Sequence, residues 1–233
     1  MTNNVVSLSG GKDSTAMLLM MLEREMKVDR VIFVDTTKEF PQMYSHLDKL
    51  DLFIEPYGLT IERVSFDYDY WFCRHIKTRG KRKGEKGYGW PDFSNRWCTT
   101  MKRNAFIKEV YAEGRDVIEY HGIAYDEKHR AARNYGWRNI RYPLIEWKVT
   151  ERDALEYCYS KGFDWGGLYE EFDRVSCWCC PLSRINELRT LFWNYPELWE
   201  QLKEMDKMSK RRFRKECSVM DLERRFIEEG VEL

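Results

Sequence analysis

Short apolar runs alternate with longer segments of helical periodicity over the first 125 residues. The apolar runs predict four strands, over residues 4–8, 30–36, 59–66 and 116–123. The periodic segments between them predict helices over residues 13–26, 40–58 and 97–114. Strands that alternate with helices of this length are typical of a parallel sheet with helices on both faces. The sequence therefore predicts an α/β fold with a doubly wound, mostly parallel sheet.

The pattern changes twice further along the chain. Residues 67–97 have no periodicity, and an unstructured stretch of this length in a compact domain is more often a functional loop than a scaffold. From about residue 150 only helical segments follow, over 151–162, 185–210 with a break at Pro196, and in the tail. We expect an α/β domain over 1–150 and a helical C-terminal extension over 151–233, packed as one compact unit.

Composition restricts the class of protein more than its partners. Hydrophobic residues make up 43% of the 233 positions and charged residues 33%, which is typical of a soluble globular protein. Lys+Arg and Asp+Glu are both 39, so net charge favours no partner. Because no long apolar segment and no leader pattern is present, we expect a cytoplasmic protein with no membrane partner. The sequence does not predict the oligomeric state.

One short loop has the composition of an anion site. The stretch SGGKDS, residues 9–14, lies between the first predicted strand and the first predicted helix. A helix N-terminus directs backbone N–H groups and a positive dipole end at one place. The loop adds small residues for close approach, two hydroxyls and one positive charge, supplied by Gly10, Gly11, Ser9, Ser14 and Lys12. The alternative is a tight turn capped by Ser14, but its place after the first strand of a parallel sheet favours a ligand site.

The loop also has a family resemblance. It lacks the Walker A pattern, and SLSGGKDSTAMLL instead resembles the PP-loop of the ATP pyrophosphatase (adenine nucleotide α-hydrolase-like) superfamily, whose pattern is SGGxDS. In that superfamily the loop holds the pyrophosphate end of ATP while the α-phosphate is attacked. The resemblance implies ATP and Mg2+ as cofactors and Lys12 and Asp13 as catalytic residues. It implies nucleotide binding by Ser9, Gly10, Gly11, Lys12, Asp13 and Ser14.

Three later stretches resemble one branch of this superfamily, the PAPS (phosphoadenosine phosphosulfate) reductases and ATP sulfurylase small subunits. They are VIFVDTTKEFPQM (31–43), HGIAYDEKHRAAR (121–133) and IRYPLIEWKVTERDALEYC (140–158). The resemblance covers about residues 4–182. It implies that Asp35 and Thr36 lie near the adenosine, that Gly122 contributes to the nucleotide site, and that Arg130 and Arg133 bind phosphate or sulfate. The sequence departs from the family at Ala124, where the family has arginine.

Four cysteines form two groups that suit a metal centre. Cys98 lies in RWCTTMKR, and Cys177, Cys179 and Cys180 lie in SCWCCPL. In a chain without an export signal, four thiols suit a tetrathiolate site, and thiolate alone does not separate zinc from a [4Fe-4S] cluster. The alternative is that they are buried free cysteines. Resemblance to the iron–sulfur members of the family favours the cluster, although those members carry an adjacent pair at the first position.

A fifth cysteine resembles a reductase nucleophile only in part. Cys217 follows glutamate, as in the C-terminal Glu-Cys-Gly of sulfonucleotide reductases, but Ser218 stands where glycine is expected and the downstream histidine is missing. The segment is also predicted to be helical. We therefore do not expect Cys217 to be a nucleophile.

The segment from 74 to 103 is strongly basic. It contains ten Lys/Arg and two acidic residues, interleaved with the aromatic residues Tyr88, Trp90, Phe93 and Trp97. Basic residues with stacking aromatics suit single-stranded nucleic acid or a nucleotide. The alternative is a solvated loop that closes over ATP.

Together these features predict an ATP-dependent enzyme. It would cleave the α–β phosphate bond of ATP and adenylylate an acceptor, in sulfur transfer or nucleic-acid modification. One alternative is a PAPS reductase, which the intact Lys-Asp of the loop disfavours because reductases usually lose it. Another is a nucleic-acid-binding partner subunit with a structural nucleotide or metal site. The sequence does not identify the acceptor.

Overall fold

The computed structural model describes residues 2–112, 114, 116–132 and 136–231. Contacts divide the chain into two compact units. The first comprises Met1–Asp35, Phe40–Ser65 and Lys102–Tyr169, and the second comprises Thr36–Glu39, Phe66–Met101 and Glu170–Leu233. The division into two domains at residue 150 stays a prediction.

The first unit is built on a parallel sheet of five strands. Their bounds are β1 Asn3–Leu8, β2 Arg30–Asp35, β3 Ile61–Ser65, β4 Val117–His121 and β5 Asn139–Arg141. They lie in the order β3-β2-β1-β4-β5, and every neighbouring pair is parallel. On the central strand, Val6 lies opposite Val31 on one side and Tyr120 on the other. This arrangement confirms the predicted α/β fold and adds β5, which the sequence did not predict.

The two central strands are apolar on both faces. Val5 and Val6 of β1 and Val31, Ile32 and Phe33 of β2 are fully buried. A strand that is covered on both faces has no solvent-facing positions, so its sequence is continuously apolar rather than alternating. This is why the short runs NVVSL and RVIFVD specify buried parallel strands.

Helices follow the strands of the first unit. Their bounds are α1 Lys12–Glu23, α2 Pro41–Ile54, α3 Trp97–Val110, α4 Pro143–Glu146 and α5 Glu151–Ser160, and α3 begins in the second unit's residues. Short 3-10 helices span Glu55–Tyr57, Tyr125–Arg130 and Trp165–Gly167. α5 begins at a capping box between Thr150 and Asp153 and packs against α1. This packing fixes the N-terminus of α5 close to the loop that precedes α1.

The second unit is helical around an aromatic core. Its helices are α6 Leu168–Glu171, which begins in the first unit's residues, α7 Ile185–Asn194, α8 Pro196–Met208 and α9 Val219–Val231. Trp90, Trp199, Phe213 and Phe226 are fully buried. The predicted break at Pro196 is confirmed, since α7 ends two residues before it and α8 begins at it. No helix in the described part of the chain is long and apolar enough to cross a membrane.

Two stretches of the second unit differ from the pattern in the sequence. The aperiodic stretch contains a π-helix over Tyr70–Arg74 and an antiparallel bridge between Ile76 and Lys86. The predicted helix around Cys217 is wrong, because residues 209–218 are non-helical. Ser218 exchanges hydrogen bonds with Asp221 at the start of α9, so the helix begins after Cys217 rather than through it.

Candidate functional site

The loop between β1 and α1 is a tight turn that requires glycine. Gly10 has a φ of +80°, and a Cβ there would lie 2.6 Å from Met43 Sδ. Gly11 has extended backbone angles directly before α1, and a Cβ there would lie 3.2 Å from the Tyr169 hydroxyl. The backbone therefore passes close to its neighbours, and the predicted approach of a phosphate to the two glycines stays a prediction.

The two serines of the loop bind each other. Their Oγ atoms are 2.9 Å apart, and the Ser9 N–H donates to Ser14 Oγ over 3.1 Å. Ser14 Oγ lies 3.1 Å from the Gly11 carbonyl, to which it donates. The hydroxyls that the sequence offered as anion donors thus also fix the shape of the turn.

Aromatic residues that are distant in sequence, but belong to the first unit, form hydrogen bonds with the backbone of the loop. Trp165 Nε1 donates to the Gly10 carbonyl over 2.7 Å, and the Tyr169 hydroxyl accepts the Lys12 N–H over 2.9 Å. The Trp165 ring stacks on His46, whose Nε2 lies 3.1 Å from Thr15 Oγ1. Burial lowers the pKa of His46 to about 4, so its ring is neutral at pH 7. Sequence reasoning missed these supports because they lie far from the loop along the chain.

Three carboxylates converge beside the loop. Oxygen atoms of Asp13, Glu127 and Glu151 lie within 4.8 Å of one another. Lys12 Nζ lies 3.6 Å from Glu151 Oε1. The Oδ1 atom of Asp13 is buried and has no hydrogen-bond partner among the described residues. Carboxylate oxygens in such a group are the ligands that Mg2+ prefers, and the orphaned oxygen leaves one such ligand unused by the protein itself.

The charge state of Asp13 reflects this crowding. Burial raises its pKa to about 6; the Lys12 ammonium opposes the shift, and the carboxylates of Glu151 and Glu127 add to it. A positive charge beside Asp13 would stabilise its carboxylate against both effects.

Three separate elements bring these carboxylates together. Asp13 lies in the first turn of α1, Glu127 in the 3-10 helix after β4, and Glu151 at the first residue of α5. Asp126 Oδ1 accepts the Glu151 N–H over 3.1 Å and so ties the second element to the third. The sequence resemblance pointed to the region of Glu127 but missed Glu151. Its only sequence signal was the capping box that marks the start of α5.

Gly122 explains how β4 approaches α1 so closely. A Cβ on Gly122 would lie 2.6 Å from both the N and Cα atoms of Ser14. These are backbone atoms at the start of a helix, so they cannot move aside without distorting α1. The structure thus places Gly122 against the start of α1, and its predicted contribution to a nucleotide site stays a prediction.

The structure describes only some of the contacts expected for the predicted arginines and for the Asp-Thr pair after β2. Arg130 forms an ion pair with Glu127 and is about half exposed. Arg133 lies outside the described residues. Asp35 Oδ1 accepts the Tyr44 hydroxyl over 2.9 Å. A position near adenosine for Asp35 and Thr36 stays a prediction.

Thr36 belongs to the second unit, where it contacts the cysteine segment. Its hydroxyl donates to Glu39 Oε1 over 3.0 Å and lies 3.4 Å from Cys177 Sγ. The Lys38 carbonyl accepts the Trp178 N–H over 3.1 Å. The turn after β2 is therefore attached to the segment that carries three of the four candidate metal ligands.

The four candidate ligands occupy one neighbourhood of the second unit. Burial raises the pKa of the nearby Tyr68 hydroxyl well above its usual value, and the negative charge of all four cysteines in their thiolate form adds to the shift. Two tight turns fold the later segment, in which the Cys180 N–H donates to the Cys177 carbonyl and the Ser183 N–H to the Cys180 carbonyl. None of the seven cysteines, all of which are described, forms a disulfide. The thiols concerned are those of Cys98, Cys177, Cys179 and Cys180.

Burial keeps two of these thiols in their neutral form in the absence of a metal. Burial raises the pKa of Cys179, with the charges of Cys180 and Cys98 adding to the effect and Lys38 opposing it. Burial also raises the pKa of Cys180, where Arg96 opposes the shift. A zinc ion or an iron–sulfur cluster would stabilise these groups as thiolates, and four thiols supply the donor set of either.

Most aromatic residues of the basic segment are structural. Trp90 and Trp97 are buried, and their indole N–H groups donate to Asp206 Oδ1 over 2.7 Å and to the Gly89 carbonyl over 2.9 Å. Tyr88 stacks against Trp97. Phe93 differs from these three, since 78% of it is exposed. Of the stacking residues that the sequence suggested, Phe93 is the one that faces solvent.

The chain is similar in sequence to a protein family and to two relatives. A family model described as the phosphoadenosine phosphosulfate reductase domain matches residues 3–183. The chain is 28% identical over 212 residues to an uncharacterized protein of Methanocaldococcus jannaschii, with 84% of this chain and 40% of that protein covered. It is 23% identical over 265 residues to an uncharacterized 37.8 kDa protein of Escherichia phage 186, with 89% of this chain and 75% of that protein covered. The chain thus spans about two fifths of the length of the archaeal relative.

Among solved structures, one similar chain is a U34-tRNA thiolase, NcsA from Methanococcus maripaludis, with its [4Fe-4S] cluster. The TM-score is 0.46 and the sequence identity 13%. The similarity covers 100% of this chain and 73% of the thiolase chain.

Proposed function

The chain belongs to the phosphoadenosine phosphosulfate reductase domain family, and we propose that it is an ATP-dependent enzyme that cleaves the α–β phosphate bond of ATP. The products would be pyrophosphate and an adenylylated acceptor, formed in sulfur transfer or nucleic-acid modification. The observation that carries this proposal is the convergence of Lys12 with three carboxylates at the glycine turn before α1.

In this proposal the loop binds the leaving pyrophosphate. Gly10 and Gly11 let the backbone approach phosphate oxygens, and the N-terminus of α1 directs its positive end at them. The Lys12 ammonium stabilises the negative charge that develops on the leaving group. Because the loop is fixed by its serines and by Trp165, these donors are positioned before ATP binds.

Asp13, Glu127 and Glu151 would hold Mg2+, which when bound would neutralise part of the charge of the pyrophosphate. The buried, unpartnered Asp13 Oδ1 supports this assignment, because a cation would satisfy it. Arg130, which Glu127 holds at the same place, would add a guanidinium for a phosphate oxygen. A similar role for Arg133 stays a prediction.

The four cysteines around Tyr68 would hold a [4Fe-4S] cluster or, as the alternative, zinc. A cluster would supply iron for handling sulfur, whereas zinc with four thiolates would be structural. The chain's own contribution is the pair of tight turns that presents Cys177 and Cys180, with Lys38 opposing the negative charge near Cys179.

The structure gives less support to a PAPS reductase. Such an enzyme requires a reactive thiolate, and Cys217 is the candidate. Burial raises the pKa of Cys217; Arg214 opposes this shift, and Asp221 and Glu216 add to it. A raised pKa lowers the thiolate fraction at neutral pH. Release of sulfite from PAPS in the presence of thioredoxin would support the reductase instead.

The proposal is tested by measuring pyrophosphate release from ATP and Mg2+ with sulfate, bulk tRNA or single-stranded DNA as the acceptor. We expect release with one of these acceptors and its loss in Lys12→Ala. Lys27→Ala is the matched control, because Lys27 is an exposed lysine of the same unit that pairs with Asp29. Equal release by Lys12→Ala and the wild type would contradict the proposal. Nucleic-acid binding without ATP turnover would instead favour the partner-subunit alternative.

A further inference from the structure

A cavity of about 750 Å³ lies within the second unit. Its inner wall is apolar and includes Trp90 and Phe213, whose rings meet edge to face with centroids 5.0 Å apart. Its rim is basic and includes Arg211, Arg212 and Arg214. A volume of this order accommodates a small aromatic ligand, and the combination of apolar wall and basic rim suits a ligand that is aromatic and anionic.

Phe93 lies in the wall of this cavity with its ring largely in solvent. The guanidinium of Arg96 lies 5.4 Å from the centre of that ring. An exposed phenyl ring beside a guanidinium offers a stacking surface for a nucleobase and a cation for its phosphate. Trp90 and Trp97 are buried in the core and Tyr88 is half-buried against Trp97, so Phe93 is the most exposed of the four aromatic residues.

The basic groups continue beyond the first cavity. Cavities of about 440 Å³ and 300 Å³ are lined by Lys77 and Arg82, and the larger also by Lys210. Arg211 lines all three cavities. Five of the six residues from 210 to 215 are Lys or Arg. Basic residues, here called the basic row, therefore line three cavities that share Arg211 and extend beyond a single pocket for one phosphate.

Several of these cations are available to a ligand. Arg211 pairs with Asp92 and Lys77 with Glu85, but among the described residues no carboxylate forms an ion pair with Arg82 or Lys210. Arg82 and Lys210 are therefore the cations that a phosphate can contact without breaking an ion pair.

We propose that this surface binds single-stranded nucleic acid. Phosphates would follow the basic row, and one unstacked base would enter the 750 Å³ cavity against Phe93. A duplex keeps its bases stacked and cannot place one in a cavity, which is why a single strand fits better. A bound strand would then be the acceptor of the adenylyl group, a role that rests on the proposed function. The binding itself requires no ATP.

Binding is measured by fluorescence anisotropy with a labelled twelve-nucleotide RNA or DNA single strand, without ATP, at increasing salt. The logarithm of the affinity is expected to fall linearly with the logarithm of salt concentration, with a slope of about −0.7 for each neutralised phosphate. A duplex of the same sequence is expected to bind more weakly.

Two kinds of variant separate the base from the phosphates. Phe93→Ala is expected to weaken binding at least about fivefold without changing the salt slope, because it removes stacking and no charge. Arg82→Gln and Lys210→Gln are each expected to reduce the slope by about 0.7. Tyr57→Ala and Arg224→Gln are the matched controls, being an exposed aromatic and an exposed arginine that line none of these cavities.

Absence of binding at low salt would overturn the inference. So would equal affinity for duplex and single strand, or an unchanged affinity in Phe93→Ala. ATP cleavage without strand binding would refute this inference and leave the proposed function intact. Strand binding without ATP cleavage would do the reverse.

Discussion

The loop before α1 and the cavity beside Phe93 differ both in the sign of their charged residues and in how deeply these residues are buried. At the loop three carboxylates meet around a buried Asp13 oxygen. At the cavity, arginines and lysines surround an open surface with an exposed aromatic ring. Buried like charges raise a pKa and favour a bound counterion, whereas exposed cations are solvated until a polyanion displaces their counterions. The sign of a charged cluster does not by itself identify its ligand. The burial of the charged residues decides whether a single counterion or a polyanion is favoured.

The two regions also differ in how the chain assembles them. The loop is one contiguous motif, and only its acidic partners come from elsewhere. The cavity combines residues near 90 with residues near 212, which have no common sequence pattern. The following predictions, from the largest expected effect to the smallest, test whether each region binds the kind of ligand that its charge and burial favour.

The largest expected effect is the loss of metal from the four-cysteine group, where we expect a cation to be bound in the second unit. Cys98→Ser and Cys179→Ser are expected to lose the bound iron or zinc, because each removes one of four thiolate ligands. Metal analysis and an anaerobic absorption spectrum measure this loss. Cys73→Ser is the matched control, since that thiol donates to the Asp69 carbonyl and is not a candidate ligand. Equal metal content in all variants would mean that this region holds no cation.

Removing one carboxylate beside the loop before α1 is expected to weaken the proposed Mg2+ binding. Glu151→Gln is expected to lower the rate of pyrophosphate release about 100-fold at a fixed, subsaturating Mg2+ concentration, because charge stabilisation of the leaving group is lost. Glu156→Gln, an exposed glutamate of the same helix that pairs with Arg152, is the control. If both variants retain the wild-type Mg2+ dependence, the acidic group does not hold the metal.

A lower pH is expected to reduce the affinity of the same site for Mg2+. Because the pKa of Asp13 is about 6, the proton competes with Mg2+ below that pH. The apparent affinity for Mg2+ is expected to fall by up to about tenfold per pH unit as the pH drops below 6. Titration of Mg2+ against thermal stability at several pH values measures this. An affinity independent of pH between 5 and 7 would place the metal elsewhere.

The smallest effect is on the stability of the metal-free protein. The folded pKa of Asp13 is raised from 3.8 to about 6, so folding binds a proton and stability falls as the pH rises from about 4 to 6. Above that range Asp13→Asn removes the buried charge and is expected to stabilise the metal-free protein by on the order of 1–2 kcal/mol. Urea unfolding at pH 7 and at pH 4 measures it, and the gain should vanish at pH 4. A loss of stability at pH 7 would show that the group is not strained without its cation.

The sequence predicted what is local and missed what is distant. Interactions between residues a few positions apart determine the glycine turn at residues 9–14 and the buried central strands. Small residues, a helix dipole and apolar runs can all be identified within such short segments. β5 was missed because its three residues carry polar side chains at both ends and pair only with β4. Glu151 was missed because only the packing of α5 on α1 brings it to Asp13.

The wrong helix around Cys217 has a related cause. Its charged residues have a helical composition, but Ser218 caps α9, and the preceding basic residues line cavities instead. A segment of helix-compatible composition can be held in a non-helical conformation by tertiary contacts, here between Arg211 and Asp92 and between Arg214 and the Ser183 carbonyl.

The central claim is the position at which ATP is cut, and the most direct measurement follows ATP labelled on its α-phosphate. In the presence of Mg2+ and single-stranded RNA or DNA, we expect the label to appear in AMP or on the nucleic acid, with pyrophosphate as the other product. Appearance of the label in ADP would mean that the bond between the β- and γ-phosphates is cut, and it would contradict the claim.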